Sequence, residues 1–167
     1  MDNRDRGVPA AQHGGMTTAT IPSRSDQAAT VLRCTGTADF LAALPYLAGF
    51  TSQNSIFLVI FRGRQARSAV RIDLHDPHDS PAILSLVDGI VDLLYETGAG
   101  PEGPAILITS EQSFAEAGGA PWRRLARLIR RRFSREGWPL RELAVVATDG
   151  WAAMLGPDRG PRPLDEI

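Results

Sequence analysis

Four side chains suited to acid–base work or ligand binding stand at or just beyond stretches that read as strands: Asp73, Ser110, Glu111 and Asp149. In open α/β sheets, ligands collect beyond the carboxyl ends of parallel strands. If the strands ending near Thr109 and Thr148 are neighbours, Ser110, Glu111 and Asp149 line one crevice, and two carboxylates with a hydroxyl there would serve an enzyme or a small-ligand binder. The competing reading is local: Ser, Thr and Asp are favoured at strand ends as helix caps and turn residues. Convergence of the carboxylates on one pocket separates the two.

Other chemistries find less support. The run His75 to Asp79 (HDPHD) offers two imidazoles and two carboxylates, but its spacing fits no established metal site, and the other histidine, His13, is far upstream. No metal and no cofactor is expected. Cys34 is the single cysteine, which excludes an internal disulfide; it reads as a structural thiol rather than a nucleophile. All 18 basic residues are arginine. Without lysine there is no phosphate-loop lysine, no Schiff base and no Ser-x-x-Lys nucleophile. The glycine-rich dinucleotide, nucleophile-elbow and zinc-protease fingerprints are also missing.

Charge is the clearest pattern. From Ile72 to Trp122 there are nine acidic residues and no basic one; from Arg123 to Arg141 there are eight arginines and one glutamate. Asp88, Asp92 and Glu96 recur every four residues opposite an apolar stripe of Ile83, Val87, Ile90, Val91 and Leu94. Arg123, Arg124, Arg127, Arg130, Arg131 and Arg135 lie opposite Leu125, Ala126, Ile129 and Phe133. The spacing thus predicts one acid-faced and one base-faced amphipathic helix. Two solvated faces, pairing of the faces within the chain or between protomers, and a polyanion site on the arginines all compete. Nucleic acid is disfavoured, because no aromatic residues interleave with the arginines and the net charge is −1.

These residues need elements to hold them. The chain has 167 residues, 43% hydrophobic and 22% charged, enough for one domain with a substantial core. Residues 1–28 are poor in large apolar side chains and read as a disordered tail, with Met16 inside it as a second possible start; residues 29–167 read as a single α/β domain. Strands are expected at Val31–Cys34, Ser55–Arg62, Ala66–Leu74, Pro104–Thr109 and Leu143–Thr148. Helices are expected after a cap at Thr37 or Asp39, from Pro81 to Glu96 behind a Ser80 cap, and from Pro121 to Glu136. Pro45 should shorten or kink the first. The order β-α-β-β-α-β-α-β gives a mixed sheet of about five strands with three helices, its last two crossovers right-handed. The apolar runs are too short to span a bilayer, no secretory signal is visible, and the expected location is the cytoplasm.

The run Thr37–Phe50 (TADFLAALPYLAGF), the apolar strand from Ser55, Val70–Leu74 (VRIDL) and Leu143–Trp151 (LAVVATDGW) resemble the domain-of-unknown-function 4192 family, found mainly in GC-rich Gram-positive bacteria. The resemblance covers roughly residues 31 to 167 and implies no activity. Members usually have proline at the position of His75 and often at Ser52, and many continue beyond the Asp149–Trp151 region, so a short or C-terminally truncated member is expected. Gly49 would end the first helix, and Arg71 and Asp73, two apart on a strand, would share a face as a polar pair. The sequence reading favours a non-catalytic binding or assembly module, self-associating or protein-binding through charged helix faces.

Overall fold

A computed structural model describes residues 16–20, 36–48, 52–98, 101–157 and 160–167. In chain order the elements are β1 (Met16–Thr20), α1 (Thr37–Ala48), β2 (Ser55–Arg62), β3 (Gln65–Asp73), α2 (Ser80–Thr97), β4 (Ala105–Thr109), α3 (Phe114–Ala117), α4 (Arg123–Glu136), β5 (Glu142–Ala147), β6 (Gly150–Ala153) and a 3-10 turn at Leu164–Glu166. One mixed sheet runs β1-β3-β2-β4-β5-β6. The β4–β5 pair is parallel and every other pair antiparallel. No helix among the described residues is long and apolar enough to cross a membrane.

β2 occupies the middle because its side chains are apolar on both faces. Ile56, Leu58 and Ile60 point to one core, Phe57 and Val59 to the other. The first core is closed by the apolar stripes of α2 (Ile83, Val87, Ile90, Val91, Leu94) and α4 (Leu125, Ala126, Ile129, Phe133). The second is closed by Phe40, Leu41 and Leu44 of α1, over a floor that includes Ala69, Ala105 and Ala144. The result is three layers: α1, the sheet, and the α2/α4 pair. β3, β4 and β5 all point the same way, and α2 and α4 return between them on a single face. Two crossovers of common hand moving in one direction across a sheet produce that placement.

The elements expected at 55–62, 66–74, 81–96, 104–109, 121–136 and 143–148 are present, with end shifts of a residue or two. Besides the 3-10 turn, three elements were not anticipated. β1 lies in the stretch read as a tail, at the sheet edge, where its backbone groups pair with β3 from Met16↔Ile72 to Thr20↔Ser68. α3 is a single turn between β4 and α4. β6 follows β5 through a two-residue turn and continues the sheet. The expected strand at Val31–Cys34, with Cys34 itself, and the helix stop at Gly49 lie outside the described residues.

Helix starts also differ in detail. Asp79, not Ser80, caps α2: its carboxylate accepts the Ala82 N–H at 3.0 Å, and Pro81 falls in the first turn, where a missing N–H costs nothing. α4 begins at Arg123 rather than Pro121, since Trp122 turns left-handed (φ 56°) just before it. α1 runs on through Pro45, with Thr37 and Asp39 both in its first turn. There the Thr37 hydroxyl donates to Glu142 at 2.7 Å, tying α1 to the start of β5.

Candidate functional site

A cavity opens at the strand tips. It lies between α1 and the sheet, at the carboxyl ends of β4 and β5, and encloses about 500 Å³. Leu41, Leu44, Phe57, Leu107 and Val146 give it apolar walls; Ser52, Thr109, Ser110 and Thr148 supply polar groups. Sheet register explains why polar groups gather here, for Asp73, Ser55, Thr109 and Val146 form one row across β3, β2, β4 and β5. Within that row the Ser55 N–H donates to Thr109 Oγ1 at 3.1 Å, and Thr109 Oγ1 donates to the Ser52 carbonyl at 2.7 Å. Ser55 Oγ donates to the Gln53 carbonyl at 3.0 Å. Asn54, left-handed at φ 46°, accepts the Glu111 N–H on its side chain at 3.1 Å and the Leu74 N–H on its carbonyl at 2.7 Å. These bonds clasp the entry of β2 to the exit of β4, and they satisfy the groups that a reactant would otherwise engage.

The four candidate residues at the strand tips are separated. Only Ser110 lines the cavity; this residue is buried, its N–H held by the Val146 carbonyl at 2.9 Å and its Oγ accepting the Gln112 N–H at 3.1 Å. Glu111 is exposed. Asp73 pairs with Arg71, whose Nε donates to Asp73 Oδ1 at 3.0 Å, as their spacing on one strand suggested. Asp149 turns away to α3, accepting the Phe114 N–H at 2.7 Å and the Ala115 N–H at 3.3 Å. Ser113 completes that cap: its Oγ accepts the Glu116 N–H, while Glu116 reaches back to the Ser113 N–H at 2.8 Å. The Ser113 hydrogen bonds hold the exposed Glu116 carboxyl below its ordinary pKa. Local capping therefore accounts for the placement of the Asp149 carboxylate. The same holds in the His75–Asp79 loop, where Asp76 accepts the His78 N–H at 2.7 Å and Asp79 caps α2.

The charged helices form the second candidate. α2 and α4 lie side by side and run in the same direction. Asp88, Asp92 and Glu96 are exposed along the outer ridge of α2. The six arginines named from sequence are all exposed on α4, and helical geometry sorts them into two lines. Arg124, Arg131 and Arg135 point outward, opposite the core stripe; Arg123, Arg127 and Arg130 point toward β6, and all three line a second cavity there. A further arginine, Arg132, points toward α2. It bonds Asp88 (Nε to Oδ1, 3.0 Å) and Glu136 on its own helix, and Glu136 also accepts the Tyr95 hydroxyl at 2.8 Å. Tyr95 packs on Trp138 with ring centres 4.5 Å apart. Arg132 was missed as a site residue because it flanks the charged stripe; the signal was its place one turn beyond Leu128, on the side where a second helix packs. Apart from Asp88 with Arg132, no ion pair joins the ridges among the described residues.

With the fold and both surfaces placed, the class is a three-layer α/β domain with a mixed sheet, α1 on one face and the oppositely charged α2 and α4 on the other. The chain belongs to the family described as domain of unknown function (DUF4192), which it matches over residues 38–164. No curated protein and no solved structure matches it.

Proposed function

We propose that this chain is a non-catalytic assembly module that pairs with a second copy of itself through the α2/α4 layer. One observation carries the reading: an acidic ridge and a basic ridge stand side by side on one surface and are largely unpaired with each other. A two-fold axis along the groove between the helices lays α2 of one protomer over α4 of the other and puts each acidic ridge on a basic one. A surface carrying both signs is self-complementary under that operation. Between the ridges lie Leu84 and Tyr95, 51% and 57% exposed, two of the four large apolar side chains exposed among the described residues. An apolar centre with a charged rim is the usual anatomy of an interface.

The strand tips lend less to a catalytic reading, since Asp73 is paired and Asp149 caps a helix. The module is placed in the cytoplasm, in keeping with its single cysteine. Light scattering across protein concentration and salt tests the proposal. A dimer mass at low ionic strength that falls toward the monomer as salt rises is the expected result, because exposed charge pairs are screened over about 10 Å at 0.1 M salt. A monomer under every condition contradicts it.

A further inference from the structure

The line of arginines that faces β6 does not belong to the dimer ridge and needs its own account. Arg123, Arg127 and Arg130 line a cavity of about 660 Å³ between α3, α4, β6 and the segment at Gly160–Pro161. That volume is in the range of small-ligand pockets. The floor is small and uncharged, including the buried Ala126 and Ala152. Arg123 is folded against it, since a Cβ built on Gly119 would stand 3.6 Å from Arg123 Nη1.

No carboxylate neutralises these guanidinium groups among the described residues. The one acid lining the cavity, Asp149, already accepts the Phe114 and Ala115 N–H groups on its two oxygens. The arrangement is also unfavourable to the helix that carries it. Arg123 and Arg127 repel across one turn, and α4 opens with Arg123 and Arg124, no acidic residue in its first turn and no side-chain cap, where the helix dipole disfavours cations. A bound anion removes both penalties.

We infer that this cavity binds a small ligand carrying two linked phosphate groups. Over seven residues the three arginines rise about 10 Å along the helix, long enough to flank adjacent phosphates, and guanidinium forks match phosphate oxygens two at a time. An alanine-lined cavity of this volume fits a compact ligand better than a nucleic-acid strand. This site is independent of self-association, which uses Arg124, Arg131 and Arg135.

Thermal unfolding of the full chain in pyrophosphate, against orthophosphate and chloride at matched ionic strength, tests the inference. Pyrophosphate is expected to raise Tm saturably, by about 4 °C at ten times Kd, and more than orthophosphate does. Arg127→Glu, an exposed position whose folding is checked by circular dichroism, should abolish the rise, and R123A/R130A should do the same. R64A/R67A, two exposed arginines of the β2–β3 hairpin outside both surfaces, should retain it. No rise above the salt control, a rise that survives R127E, an equal loss in R64A/R67A, or preferential binding of a single-stranded oligonucleotide each overturns the inference. None of these variants touches the dimer ridge, so failure of this site and failure of the dimer are distinguishable.

Discussion

Asp149, Gly150 and Trp151 show how one short run can look like a site and serve the fold. Asp149 holds the first two N–H groups of α3. At Gly150 a Cβ would stand 2.7 Å from the Arg162 carbonyl oxygen, so only glycine lets the C-terminal segment lie against β6. Trp151 is buried, exchanges backbone hydrogen bonds with Arg162 at 2.9 and 2.8 Å, and donates its indole N–H to the Pro163 carbonyl at 3.1 Å. Asp149→Ala should cost about 1–2 kcal/mol, the usual range for losing a helix cap, read from urea unfolding. An unchanged stability would mean that the cap is redundant with Ser113. The sequence carried both the crevice and the cap reading of Asp149. It could not choose between them, because the donors lie 34 and 35 residues upstream on a helix too short to leave a periodic signal.

At the scale of elements, legibility followed apolar periodicity. α2 and α4 have full apolar stripes, and β2, β4 and β5 have runs that only burial can satisfy, so all five could be read from local pattern. β1 (MTTAT) has no such pattern; it is a strand because β3 offers an open edge, a tertiary fact. β6 has four residues held between β5 and the Arg162 segment. Contacts between elements were equally hidden, which is why Arg132 went unnamed while its exposed neighbours did not. The approach of α2 to β4 depends on Gly103, at φ 70°, where a Cβ would clash with the Pro139 carbonyl oxygen. Gly103→Ala should therefore destabilise the domain by about 3 kcal/mol or more, through clash and backbone strain together. A wild-type Tm for this variant would contradict the packing of that loop against the β5 approach.

For the whole molecule, the two faces of the sheet are unlike. One carries α2 and α4, whose outer surface is split into acidic and basic ridges; the other carries α1, with an apolar crevice beside it. Composition gave no warning, since the net charge of −1 averages over the two ridges. Charge reversal tests the central claim, self-pairing of acid on base, most directly. D92R/E96R makes both ridges basic and R131E/R135E makes both acidic, so each variant alone should be monomeric at concentrations where the wild type is a dimer. Mixed in equal amounts, they should recover the dimer mass, because every ridge again faces its opposite. A mixture that stays monomeric, or either variant that dimerises alone as well as the wild type, would contradict the account.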